Sequence, residues 1–156
     1  MTEAPNASRS SFVVLRIGNG RFALPAEQVS ELAPPVRLHK FPHGTPSLAG
    51  VILRRGRIVP VFDAWAQLGA RPSSAQRFYL VTRRRGVHAA EWAAIPVSGE
   101  CELVSGDVQP PPPERPAYVS GAIAAGEQPA EVLDLDLLLA AGSASGGKAS
   151  PREDGP

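Results

Sequence analysis

Residues 48–63 read Leu-Ala-Gly-Val-Ile-Leu-Arg-Arg-Gly-Arg-Ile-Val-Pro-Val-Phe-Asp, and this stretch restricts the fold more than any other. Two apolar runs, Val51–Leu53 and Ile58–Phe62, are too short for stable helices and are separated only by Arg54-Arg55-Gly56-Arg57. Gly56 supplies the positive φ that a two-residue hairpin turn demands. The reading is a β-hairpin with a cluster of arginines at its tip. Asp63 then serves as an N-cap, its carboxylate accepting from the free N–H groups of a short helix over residues 64–68. Gly69 ends that helix in a left-handed conformation.

Similar punctuation runs along the chain. Residues 12–17 and 21–24 flank Gly18-Asn19-Gly20, a second hairpin signal because Asn-Gly accepts positive φ at both central positions. Residues 27–33 suggest a brief helix with Val29 and Leu32 turned inward, stopped by Pro34-Pro35. Residues 78–82 and 87–97 form a third pair around Arg83-Arg84-Arg85-Gly86. Pro96 points to a bulge or an edge position for the second of these strands. Residues 101–104 add a short strand, and Pro110–Pro113 is an extended spacer. Residues 118–124 and 131–133 make a last pair, followed by a helix over 135–141. Gly50 precedes Asp63 by thirteen residues, and Gly121 precedes Asp134 by the same interval. Each unit reads glycine, strand, turn, strand, aspartate cap, apolar helix. The spacing suggests two similar β-lobes, each closed to spare it an exposed sheet edge.

Composition narrows the rest. At 156 residues and 43% hydrophobic, the chain can bury one real core, in one domain or two lobes. The domain spans residues 11–141, residues 1–10 are polar and flexible, and the Gly/Ser-rich stretch 142–156 reads as a disordered tail. A formal net charge of +1 argues against a strongly polyanionic partner. The single cysteine, Cys101, has no internal disulfide partner, and no apolar run reaches transmembrane length; a cytoplasmic setting is expected. Cys101 sits between Glu100 and Glu102, which disfavours the thiolate a nucleophile needs. His39, His43 and His88 lack the converging ligands of a zinc site. No phosphate loop or nucleophile elbow is present, so no cofactor, metal or catalytic residue is expected. Arg83–Arg85 reads as a solvated tip, Trp65 and Leu68 as core, and Trp92 as either core or exposed anchor.

Several blocks together resemble the CheW-like domain, the adaptor fold of bacterial chemosensory systems. They are Phe12-Val13-Val14-Leu15-Arg16-Ile17 with Phe22-Ala23-Leu24-Pro25, then Val29-Ser30-Glu31-Leu32, then Gly50-Val51-Ile52, Arg55-Gly56 and Ile58-Val59-Pro60-Val61-Phe62-Asp63. Tyr118-Val119-Ser120-Gly121 and Val132-Leu133-Asp134-Leu135 complete the set. The resemblance implies an all-β protein of two five-stranded, SH3-like barrels with short helices, packed on a shared core, without catalysis. It implies two partners, the tip of a methyl-accepting chemoreceptor in a groove between the lobes and the regulatory domain of a CheA-type histidine kinase. By position, Arg55 matches the family's arginine at the receptor-facing turn and Glu31 the acidic residue near it, which suggests an ion pair orienting Arg55. Val36 and Leu38 are expected to line the groove. The chain departs from the family at Leu53 and Arg54, where asparagine and leucine are usual, and Arg57 makes the tip more basic still. Ser98 replaces an aspartate, and Gln128-Pro129-Ala130-Glu131 weakens the last strand. These departures suggest a single-partner regulator of a non-flagellar motility or developmental pathway as an alternative. From another class, a small nucleic-acid-binding barrel is possible on the basic tips, against which stand few aromatics for base stacking and a near-neutral balance.

Overall fold

The structure is a computed structural model and describes residues 10–41, 48–65, 67–69, 78–84, 91–99 and 101–148. The expectations for the termini before residue 10 and after residue 148, and for His43, Arg85 and His88, lie outside the described residues. Eleven strands and one helix follow in order: β1 Ser10–Ile17, β2 Gly20–Pro25, β3 Val29–Ala33, β4 His39–Lys40, β5 Leu48–Arg54, β6 Arg57–Phe62, β7 Phe78–Arg83, β8 Trp92–Val97, β9 Glu102–Gly106, β10 Val119–Ala125, β11 Gln128–Leu133 and α1 Leu135–Lys148.

They form two sheets. One has the order β10-β11-β2-β1-β9, the other β3-β7-β8-β6-β5-β4. The two ends of the chain therefore build one lobe and its middle builds the other. The first sheet rounds on itself: just beyond β9, Gln109 exchanges two backbone hydrogen bonds with Ala122 of β10, at 2.8 and 3.0 Å. The second sheet has six strands rather than the expected five, because residues 39–40 pair with β5 as a two-residue strand. Its edges β3 and β4 are consecutive in the chain.

Alternation along the strands explains why the lobes cohere. In β1, Phe12 and Val14 turn into the first barrel with Ala23, Ile123, Ala130 and Val132. Leu15 and Ile17 turn the other way and meet Leu80, Ile95 and Val97 of the second sheet. Trp65, Leu135, Leu138 and Leu139 join the same cluster, so one core is shared by both lobes. The second barrel has its own interior of Ala33, Ile52, Val59, Val61, Tyr79, Val81 and Ala94. Polar ties supplement the apolar ones. Ser98 N–H donates to the Arg16 carbonyl at 2.8 Å, and Ser98 Oγ accepts from Gly18 N–H at 3.0 Å. Ser98 thus pins the β1–β2 turn to the end of β8.

Several local expectations change. Residues 27–33 are not a helix: one 3-10 turn over Ala26–Gln28 leads straight into β3, where Leu32 lies opposite Leu80. Ladder bonds to β7 outweigh a weak local helical pattern, and the β-branched Val29 suits a strand. The predicted helix after Asp63 is one turn: Trp65 N–H donates to Asp63 Oδ1 at 3.0 Å and Leu68 N–H to the Ala64 carbonyl at 3.1 Å. Gly69 follows with φ +77°. At the β1–β2 turn the positive φ falls on Gly18 alone, so the central pair is Gly18-Asn19 rather than Asn19-Gly20. Strand β8 is interior, between β7 and β6, with no register shift against β7. Pro96 is tolerated there because β6 pairs with β8 only at Val61↔Ala94, away from the missing N–H. Residues 128–131 keep full pairing with β10, and α1 continues past residue 141 to Lys148.

The thirteen-residue interval marks equivalent architecture. Both Gly50 and Gly121 sit where the hairpin register shifts, between Leu48 and Gly50 and between Val119 and Gly121. At both, a neighbouring backbone passes too close for a side chain: His39 carbonyl at Gly50, Gln109 carbonyl at Gly121. Both units end on a capping aspartate, Leu137 N–H donating to Asp134 Oδ1 at 3.0 Å.

Candidate functional site

The β5–β6 hairpin is closed by a two-residue turn in which Arg55 has φ +52° and Gly56 φ +75°. Positive φ at both central residues is the type I′ pattern whose twist matches paired strands. Arg55 is the sole non-glycine residue with positive φ among the described residues, so an arginine occupies a conformation usually left to Gly or Asn. The register Arg54↔Arg57, Leu53↔Ile58, Ile52↔Val59 assigns the faces. Ile52 and Val59 are buried in the second barrel, and Arg54 and Arg57 continue that face to the barrel's open end. Leu53 and Ile58 face outward, 57% and 64% exposed.

Glu31 of β3 reaches the same end of the barrel. It forms a fork with Arg54, Nε donating to Oε2 at 3.1 Å and Nη2 to Oε1 at 2.7 Å. Arg55 Nε stands 3.5 Å from Glu31 Oε2, with its side chain 77% exposed. The expected Glu31–Arg55 contact therefore exists but is the lesser one; the residue that Glu31 orients is Arg54. The hydrogen bond from Arg54 holds the Glu31 carboxyl below its ordinary value of 4.5. A depressed pKa in the folded chain means that the pair stabilises above the ordinary carboxylate range and loses its contribution as pH falls. Replacing Glu31 by Gln should cost about 1 kcal/mol at pH 7. That difference should vanish below the pKa of folded Glu31, which urea titrations of both proteins at a series of pH values will measure.

The arginine cluster is extended by β7 and β8. Arg57 lies over the Trp92 ring at 4.2 Å from its centroid, and Arg83 lies near it at 5.1 Å. Arg83 also pairs with Glu91 at 2.6 Å. Trp92 is thus neither purely core nor a bare anchor: it packs on the second barrel's interior while arginines rest on the ring. Val36 and Leu38 lie half-buried against that interior, with Ala49 and Trp92. Arg84 does not belong to a solvated tip. Its side chain is 11% exposed and ion-pairs with Asp136 of α1 at 2.7 Å, tying β7 to the C-terminal helix.

Sequence reasoning singled out Leu53 but missed Ile58. The turn register alone pairs the two, because both stand two places outside the central Arg55-Gly56. The Arg57–Trp92 contact has no local signal, since it joins residues far apart in the chain. Cys101 is half-buried, and burial pushes its thiol up to about 11. The cause is desolvation by burial. Iodoacetamide at pH 7 should alkylate it much more slowly than free cysteine, followed by mass spectrometry.

A first-barrel counterpart exists. Arg16 and Arg21 face each other across β1 and β2. They line an open basin of about 440 Å³ with Val14, Glu102 and residues 125–128. Arg21 is spent on the carbonyls of Ala125 at 2.6 Å and Gln128 at 3.0 Å. No helix among the described residues is long and apolar enough to cross a membrane.

Comparison with known proteins agrees with the geometry. The fold matches that of the scaffolding protein TtCheW from Thermoanaerobacter tengcongensis, with a TM-score of 0.72 and 23% identity over 83% of this chain and 91% of that one. No curated protein matches the chain. The family model described as "CheW-like domain" matches residues 11–143, nearly the whole of both barrels and the start of α1. The chain belongs to the CheW-like domain family.

Proposed function

We propose that this protein is a non-enzymatic, cytoplasmic chemosensory adaptor. It holds the regulatory domain of a CheA-type histidine kinase and the cytoplasmic tip of a methyl-accepting receptor in a fixed relation, without itself entering the membrane. The observation that carries this reading is the β5–β6 tip. A rigid two-residue turn presents two exposed aliphatic side chains, Leu53 and Ile58, on its outward face, with Arg54 and Arg57 on the other face and Arg55 in the turn itself. An exposed apolar pair on a surface of a family of adaptors is a contact in waiting, because leaving it in water forgoes burial free energy. The arginines add register and selectivity. Val36 and Leu38, half-buried against the same barrel interior as Trp92, extend the surface on the same lobe.

The test is association of the full chain with a kinase regulatory domain and with a receptor cytoplasmic fragment, measured separately and together by calorimetry and gel filtration. Both should bind. Leu53→Asp combined with Ile58→Asp should weaken at least one partner by more than about tenfold, with the thermal midpoint little changed because both positions are exposed. Binding of one fragment alone would favour a single-partner regulator. Binding of neither would overturn the adaptor reading.

A further inference from the structure

Four described arginines converge on the open end of the second barrel, and their states differ. Arg54 is saturated by the Glu31 fork. Arg83 is paired with Glu91 at 2.6 Å. Arg55 projects from the turn, 77% exposed, with a single 3.5 Å contact. Arg57 is different from all three. Its guanidinium is laid on the Trp92 ring, 4.2 Å from the centroid, and among the described residues no carboxylate pairs with it. It is the one arginine of the four that is both ordered and unspent.

That combination has a chemical consequence. A guanidinium held against an indole keeps its N–H edge free, while the ring removes most of its rotamer freedom before any partner arrives. A carboxylate meeting such a fork pays less ordering cost than one meeting a mobile side chain. Arg54 directly across the strand adds positive potential that Glu31 only partly cancels. One position along β6, on the outward face of the hairpin, Ile58 stands with Leu53 as an exposed aliphatic pair. The occupant that satisfies both features is a protein surface that takes the hairpin tip between an Asp or Glu side chain on the Arg57 face and aliphatic residues on the face of Leu53 and Ile58. A phosphate backbone would meet the cation but leave the aliphatic pair wet.

We propose that Arg57, held on Trp92, and not Arg55, is the residue that reads a partner carboxylate at this tip. Trp92 is its positioning residue, and the tip thereby selects an acidic, aliphatic protein surface. The proposal rests on the adaptor reading and names the chemistry of its partner.

The experiment uses the full chain and whichever of the two fragments binds it, the kinase regulatory domain or the receptor tip. Arg57→Ala should weaken binding by about tenfold or more, and Arg57→Lys should recover little of it, because an ammonium neither stacks flat nor forks. Arg55→Ala should change binding by less than about threefold. Trp92→Leu should weaken binding by about threefold or more, and Arg57→Ala added to Trp92→Leu should cost much less than it does alone, a coupling that independent effects would not give. Thermal midpoints and circular dichroism of each variant show whether it is folded; Trp92→Phe, which keeps a ring, should retain most of the affinity and guards against a misfolded leucine variant. Arg57→Ala binding within twofold of the wild type, or Arg57→Lys restoring affinity, overturns the assignment while leaving the adaptor reading intact. So does tighter binding of a short DNA duplex than of the fragment, or Arg57-dependent self-association in sedimentation. Failure of the wild type to bind either fragment overturns both.

Discussion

Leu80→Ala is expected to lower the unfolding free energy by about 3 kcal/mol and to do so in one transition. Leu80 has no exposure and sits, opposite Ile95 and Leu32, in the cluster that both sheets share with Leu15, Leu24 and Leu138. Removing its branched end leaves a cavity lined by residues of both barrels, and a close-packed interior relaxes only partly around it. The chain also passes from one lobe to the other and back: β1 and β2 begin one lobe, β3 to β8 make the other, and β9 to β11 return to the first. Neither half can be cut free without exposing Leu15, Ile17 and Val97. Urea unfolding followed by tryptophan fluorescence and by far-ultraviolet circular dichroism should give coincident curves in the wild type and in the variant. Trp65 reports on the shared core and the backbone signal on both barrels. Two separated transitions would mean that the lobes are independent and that the shared cluster is only a contact.

Gly121→Ala should cost about 2–3 kcal/mol, more than the same change at either hairpin glycine. A Cβ at position 121 would stand 2.6 Å from the Gln109 carbonyl oxygen and overlap Val108. The oxygen belongs to backbone that bonds to Ala122 on both its N–H and its C=O, so it cannot withdraw without opening the first barrel. Gly50→Ala meets the same obstacle at the His39 carbonyl, whose carbon would lie 3.0 Å away. At Gly56 and Gly126 nothing lies within 4 Å, and only the positive φ of +75° resists a side chain, which is worth about 1 kcal/mol. The predicted order of midpoints in urea is therefore Gly56→Ala and Gly126→Ala above Gly50→Ala and Gly121→Ala. An equal cost at all four would show that conformation rather than close approach governs these positions.

The turns were legible in place, though at β1–β2 the central pair lies one residue earlier than Asn19-Gly20. Gly56 and Asp63 announce a tight turn and a cap because a turn's φ angles and a capping bond involve residues within three places of each other; that Arg55 also takes positive φ, making the turn type I′, was not legible. The repeat of Gly50 and Gly121 was visible as spacing, and its cause, a crossing backbone at each, was not. Residues 27–33 misled because their apolar spacing fits either period, and the choice belonged to β7, fifty residues away. Strand β8 misled because Pro96 argues for an edge only when the neighbouring strand needs its N–H, and β6 pairs with β8 only at Ala94.

The candidate site divides in the same way. Its residue types and its place at a hairpin tip follow from local sequence, as does the outward pairing of Leu53 with Ile58 once the turn is known. Which arginine is neutralised does not follow. Arg54, Arg55 and Arg57 have the same charge and nearly the same position in the chain, and they are separated only by what the barrel brings beside them: Glu31 to Arg54, Trp92 to Arg57, solvent to Arg55. Sequence by itself determined the all-β class, the hairpins, the doubled plan and the basic tip, because strand period and turn conformation act over a few residues. Tertiary structure alone decided which residues of the two lobes meet in the shared core and that Arg57 lies on a ring with no carboxylate partner among the described residues, because ion pairs and ring contacts are made across strands that the chain places far apart.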